Sequence, residues 1–319
     1  IPNGPVVRWA MSAAMAALGV VFSLSSVSAA GTSAPFLVGE GVVDISPPLG
    51  TALGGFHYSD PTRPRVTTAI HYPPEVRALV LSRSRISLAI ISFDMLNVSF
   101  AMVRDVQTRI KSQLGIPAGH VRICATHAHS MPSIAFNRHW GDNNPEYEET
   151  VARAMVKAVQ LALKDQATTR LFAGTARAVG ANVNRTVRSG ARSDAEFTAE
   201  SNEKDRWVDA SLHVLHFERS GGKGNLLWYN FAAHPTTYGG SGAAGPGWPG
   251  VVQKRLRAAF GVSASYLQGH IGDISPTGRE RTATLVTSAI VDAVASWLTV
   301  ELLSLIHISE PTRLGMISY

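Results

Sequence analysis

Val121-Arg122-Ile123-Cys124-Ala125-Thr126-His127-Ala128-His129-Ser130 joins a short apolar run to a polar stretch with two histidines. Its first five residues are bounded by turn formers and rich in β-branched and small side chains, which predicts a strand. Ser99 and Gly115 bracket the preceding segment, where Met102, Val106, Ile110 and Leu114 recur at helical spacing. On the other side, Asn144 is followed by Pro145 and by Glu146, Glu148 and Glu149. Asn as the cap, Pro in the first turn and early carboxylates predict a helix running through Val151, Met155 and Val159 to about Lys164. A strand set between two helices is the alternation of an α/β protein.

The same alternation continues in both directions. Arg77–Leu81 and Ile86–Phe93 read as a hairpin around Ser82-Arg83-Ser84-Arg85. Leu171–Val179, Leu212–Phe217, Leu226–Phe231 and Ser263–Leu267 are further strand candidates. Pro249 opens a helix through Val252, Leu256 and Phe260 that stops at Gly261, and Thr282–Leu298 reads as a last helix. The expected fold is α/β, with layered mixed sheets flanked by helices. Sheet order is not legible in the sequence, and no internal repeat or low-complexity linker divides Gly31 to Leu298.

Both ends read differently from this domain. Arg8, an apolar stretch from Ala10 to Leu24 and the small residues Val27-Ser28-Ala29 form a secretory signal pattern over residues 1–30. The expected location is therefore secreted or periplasmic, with the start upstream of Ile1 or at Met11. Residues 303–319 abandon the helical pattern, and Ser304 to Arg313 resembles translated sequencing-adapter sequence. That tail is expected to be artefactual, with the natural chain continuing differently and the catalytic domain truncated.

Hydrophobic residues make up 45% and charged residues 16% of the 319, a globular balance with enough chain for a sizeable core. The net charge of +6 is spread thinly along the sequence, without basic blocks interleaved with aromatics, which argues against a nucleic-acid partner. It is compatible with peripheral contact at an anionic membrane surface. The single cysteine, Cys124, rules out an intrachain disulfide and a cysteine-based zinc site. Its plain reading is a small core residue.

The chemistry gathers in four segments. Side chains at i and i+2 of a strand share a face roughly 6.6 Å apart. His127 and His129 are thus expected to end a central strand with both rings facing one cleft. Neutral imidazole is a good zinc ligand, although His-X-His also arises by chance. His234 ends another strand candidate in Phe231-Ala232-Ala233-His234-Pro235-Thr236. Gln268-Gly269-His270-Ile271-Gly272-Asp273-Ile274-Ser275-Pro276 places Asp and Ser in a glycine-rich bend, and Asn182-Val183-Asn184-Arg185 places a guanidinium between strands. Each segment alone also reads as an ordinary turn or loop.

Taken in order, these segments resemble the N-terminal catalytic domain of the neutral/alkaline non-lysosomal ceramidase family. The similarity runs from Val38-Gly39-Glu40-Gly41 to about Leu298, through Leu53-Gly54-Gly55-Phe56, Ser92-Phe93-Asp94, Thr126–Ser130, Asn184-Arg185, His234-Pro235-Thr236 and Gly272–Pro276. It implies zinc-dependent hydrolysis of an N-acyl amide, such as N-acylsphingosine to sphingoid base and fatty acid, and a role in sphingolipid metabolism. By the same resemblance, His127 and His234 are zinc ligands. His129 is a hydrogen-bonding or proton-shuttling neighbour, Arg185 polarises or clamps the substrate, and Ser275 lies near the reacting amide. The family's remaining glutamate and tyrosine ligands have no counterpart that can be placed in this chain. Two departures stand out: Gly247 where the family often has Asp, and Met131 where a glycine commonly follows the histidine motif.

Two rival readings follow from the same residues. A metal-independent serine hydrolase would use Ser275 as nucleophile with His270 or His129 as base. An inert fragment or an exported binding protein would keep the fold without the chemistry.

Overall fold

The computed structural model describes residues 34–56, 62–134, 140, 142–186, 192–193, 198–200, 207–236, 241–295 and 298–300. The signal pattern of residues 1–30 and the tail of residues 303–319 lie outside the described residues.

The described chain forms two successive units of the same plan. The first contains strands β1 (Phe36–Asp44), β2 (Glu75–Arg83), β3 (Ile86–Phe93) and β4 (Val121–Ala125) with helices α1 (Phe100–Leu114) and α2 (Pro145–Asp165). The second contains β5 (Ala167–Arg177), β6 (Ser211–Arg219), β7 (Leu226–Phe231) and β8 (Ser263–Gln268) with α3 (Trp248–Phe260) and α4 (Arg279–Ala295). In each, three antiparallel strands are followed by a helix, a fourth strand parallel to the third, and a second helix. The strands join in the order β8-β7-β6-β5-β1-β2-β3-β4, and Leu298–Val300 adds a ninth on β5. Only two residue pairs, Leu37↔Thr168 and Val38↔Ala167, connect the units through β1 and β5.

Burial shows how the units stack. One core lies between the first sheet and its helices, with Val76, Ala78, Val80, Ile91 and Phe93 against Val106, Ile110, Val151 and Met155. A second lies between the other sheet and α3 and α4. A third lies between the sheets themselves, where Val38, Leu79, Leu81 and Leu88 meet Leu171, Phe217, Leu226 and Trp228. Alternation along β2 explains the arrangement, since Ala78 and Val80 point to the helices while Leu79 and Leu81 point to the other sheet. The result is a helix–sheet–sheet–helix stack, the mixed α/β class expected from sequence.

Local signals set most element ends. Ser99 caps α1 by accepting from the Met102 N–H, and Gly115 ends it in the left-handed conformation. Asn144 caps α2 by accepting from the Tyr147 N–H. Gly39 and Gly41 let β1 lie directly on α2, since a Cβ on either would overlap the carbonyl oxygen of Ala162 or Ala158.

Three expectations need correction. The last helix ends at Ala295, and Leu298 begins a strand instead. The strand ahead of the histidines, β4, stands at the end of the strand order and is not central. Its histidines also lie beyond its last residue, so the strand pleat does not place them.

Candidate metal centre

Hydrogen bonds between the loops after β3 and β4 set the geometry of the site. The Thr126 N–H donates to Phe93 O and the Ala128 N–H to Met95 O, at 2.9 and 3.1 Å. Thr126 Oγ1 donates to Asp94 Oδ1 at 3.1 Å. His127 adopts φ 63°, a region few non-glycine residues enter and one enriched at functional sites. This turn, not a pleat, brings the His127 and His129 rings together at a centroid distance of 4.6 Å.

His234 arrives from the other unit, beyond β7. Its ring centroid lies 5.0 Å from that of His127 and 5.3 Å from that of His129. Backbone bonds fasten the two loops: His129 N–H to Pro235 O at 3.1 Å and Gly245 N–H to Ser130 O at 3.2 Å. One ring nitrogen from each of the three histidines falls within 4.8 Å of the others.

The tautomers follow from the partners. His127 Nδ1 lies 2.7 Å from Leu96 O, and His234 Nδ1 lies 2.8 Å from Ile274 O. A carbonyl only accepts, so each Nδ1 carries the hydrogen and each Nε2 keeps its lone pair. His129 Nε2 lies 2.9 Å from His127 Nε2. With a lone pair on His127 Nε2, His129 is the donor in that contact.

Burial is the first cause that lowers the pKa of all three rings, and the Arg185 guanidinium contributes to each. For His129, the neighbouring His127 and His234 add to the effect, and the value falls to about 3. Three neutral imidazoles, two of them with Nδ1 tied to a carbonyl and a lone pair on Nε2, suit a divalent metal such as zinc.

The other expected residues border this cluster. Asn182–Asn184 pairs antiparallel with Ile274–Pro276, placing Ser275 opposite Val183 and beside the Ile274 carbonyl that holds His234. The exposed Arg185 donates to Gly272 O at 2.6 Å, and its N–H bonds Asp273 O. Asn184, 2% exposed, donates to Asp273 Oδ2 at 2.6 Å and to Trp207 O at 3.2 Å, tying the two segments together. Among the described residues, Ser275 makes no side-chain hydrogen bond to His129 or to the exposed His270. Gly247 stands at φ 78° and ψ −145°, and Met131 is fully buried. Cys124 is half-buried, and burial raises its thiol to about 11.

Sequence reading missed the supports of His129. Gly55, at φ 93°, lies so close that a Cβ there would come 2.7 Å from His129 Cγ. Phe56 meets the ring edge-on at 5.3 Å. The buried Arg65 guanidinium donates to His129 O at 2.5 Å, Gly54 O at 2.8 Å and Ser241 O at 3.0 Å. The Gly54-Gly55 doublet was the available signal, because adjacent glycines mark close backbone approach.

The stack and its cluster define a mixed α/β domain with a candidate three-histidine metal centre. Residues 36–243 match the neutral/alkaline non-lysosomal ceramidase N-terminal family, and the chain belongs to that family. Two solved structures share its fold. Neutral ceramidase from Pseudomonas aeruginosa is 20% identical with a TM-score of 0.69, covering 82% of this chain and 45% of that one. A ceramidase complexed with C2 is 21% identical with a TM-score of 0.68, covering 82% of this chain and 44% of that one. The chain thus spans less than half the length of either. No curated protein matches it.

Proposed function

We propose that this chain carries the metal-binding part of a zinc-dependent amidohydrolase that cleaves the N-acyl amide of a ceramide-like lipid. The observation behind this reading is convergence: His127 and His129 from one unit meet His234 from the other, with Ser275 on an adjoining strand and Arg185 just past the end of its partner. Family membership supplies the substrate class.

His127 and His234, with Nε2 lone pairs available, would hold the zinc. When bound, zinc supplies Lewis acidity, which favours ionisation of water and polarises a carbonyl. Arg185 offers a guanidinium to the carbonyl oxygen as negative charge develops there. His129 orients the attacking water and relays its proton to the leaving nitrogen as the C–N bond breaks, giving a fatty acid and an amine. The charge developing on the oxygen raises the proton affinity of His129 at that moment. Ser275 holds a substrate hydroxyl. The rival with Ser275 as nucleophile needs a base in contact with it, and neither proposed histidine makes that contact.

We place the protein outside the cytoplasm on the composition of residues 1–30, treat residues 31–302 as the catalytic domain, and set residues 303–319 aside as foreign to it. A peripheral membrane contact suits both the lipid substrate and the net charge of +6. The test is an amidase assay on a ceramide-like substrate before and after exhaustive zinc removal, with zinc added back. Loss on removal and return on addition are expected; activity that survives complete removal overturns the zinc mechanism.

A further inference from the structure

Ser92-Phe93-Asp94 spans the last two residues of β3 and the one after them, and the mechanism above gives it no part. Its aspartate sits where the two loops of the first unit are fastened together. Asp94 Oδ2 accepts from the Glu75 N–H at 3.0 Å, while the Asp94 N–H donates to Glu75 O at 3.0 Å. Asp94 is therefore held to β2 twice, once through its carboxylate and once through its backbone N–H. Its other oxygen, Oδ1, accepts from Thr126 Oγ1, and Thr126 is only 3% exposed. The next residue is His127, with its left-handed backbone and its Nδ1 on Leu96 O, two residues beyond Asp94.

Four hydrogen bonds thus run along residues 93–96 and hold residues 126–128: Phe93 O, Asp94 Oδ1, Met95 O and Leu96 O are the successive acceptors. Three use backbone carbonyls, which every residue type supplies. The Asp94–Thr126 bond alone depends on side-chain identity at both ends. It faces a small polar cavity also lined by Glu75, Arg77, Gln253 and Ser265, so a freed Thr126 side chain has room to rotate.

We infer that Asp94 and Thr126 are positioning residues for the metal centre: the carboxylate, fixed to β2, holds the Thr126 hydroxyl and thereby keeps His127 in the backbone conformation and tautomer that turn an Nε2 lone pair into the three-histidine cluster. The inference rests on the reading of His127 as a zinc ligand. It differs from a general stabilising role in predicting that metal affinity and the state of one imidazole change together. Outer partners of metal ligands characteristically change affinity by about 10–100-fold.

The test has two readouts on the full chain: zinc affinity by competition with a chromophoric chelator, and the tautomer of His127 from ¹⁵N chemical shifts in metal-free protein. Thr126→Val should weaken zinc binding by about tenfold or more and give His127 a mixture of tautomers. Thr126→Ser restores the hydroxyl and should return both readouts to wild-type behaviour. Ser92→Ala removes another hydroxyl bond lining the same cavity, to Tyr266 O at 2.6 Å, and should leave both unchanged. Should Thr126→Val not fold, Asp94→Ala takes its place, with the same direction expected in both readouts. Wild-type affinity and tautomer in the folded variant overturn the inference, as does an equal loss in Ser92→Ala. If the wild type binds no zinc, the proposed metal function falls, and the tautomer comparison alone decides this inference.

Discussion

Replacing Asp94 with Asn should change the pH dependence of stability in a direction fixed by the structure. Burial raises this carboxyl from 3.8 to about 7, and the Glu75 carboxylate adds to the rise. The Glu75 N–H, the Thr126 hydroxyl and the Arg77 guanidinium pull the other way. A folded value above the unfolded one means that the native state binds more protons across that interval. Stability from this group is therefore fully present below about pH 4 and lost as pH rises through about 7. At roughly 1.4 kcal/mol per tenfold change in proton affinity, the full effect is about 4 kcal/mol. Partial solvent contact at Asp94 screens some of it, leaving ~2–4 kcal/mol. The histidines act in the opposite sense. Held below 6.5, they contribute stability above that value and lose it as pH falls. Wild type and variant share those histidines, so the difference between their stabilities isolates Asp94. Urea unfolding in the presence of a chelator, from about pH 5 to about pH 8, should show Asp94→Asn gaining ~1–2.5 kcal/mol on the wild type, the part of the full effect that falls inside that window. A difference that stays flat across the range refutes the reasoning.

Other substitutions test the remaining supports. Gly55→Ala puts a Cβ 2.7 Å from His129 Cγ at φ 93°, and chemical denaturation should show a loss of roughly 2–4 kcal/mol. Asn184→Ala leaves the Asp273 carboxylate and the Trp207 carbonyl without this donor; thermal unfolding should register about 2–3 kcal/mol. His234→Ala should cost zinc affinity at least a hundredfold in calorimetry, and His129→Ala less than tenfold. An equal loss in both would make His129 a ligand on the same footing as His234.

Much of the fold was legible because it is locally encoded. Ser99 with Gly115 and Asn144 with Pro145 act within a few residues, and the structure keeps those helix ends. Leu226–Phe231 matches its expected bounds because it is a run rich in apolar and aromatic residues that opens directly after Gly224-Asn225. The facing of the two sheets was not legible, since contacts such as Leu79 with Trp228 depend on tertiary pairing. The site divides the same way. Histidine identity and order marked His127, His129 and His234, but the pleat argument failed because His127 leaves the strand at positive φ. Arg65 gave no signal at all, being one more thinly spread arginine until the fold brings it to the His129 carbonyl. The far end of the expected last helix misled for a related reason: Trp297 and Leu298 are apolar residues suited to either a helix or an added strand.

The two-unit plan has a consequence for fragment complementation. Residues 36–165 carry His127 and His129, residues 167–295 carry His234, Arg185 and Ser275, and Gln166 lies between them. Neither segment holds all three imidazoles, so the site comes into being with the interface and does not depend on an unbroken peptide at Gln166. A chain nicked there would keep its pocket for as long as the sheet faces stay together. A metal shared by His127 and His234 would then act as a clasp added to the apolar contacts between the sheets, and its removal would loosen the pieces.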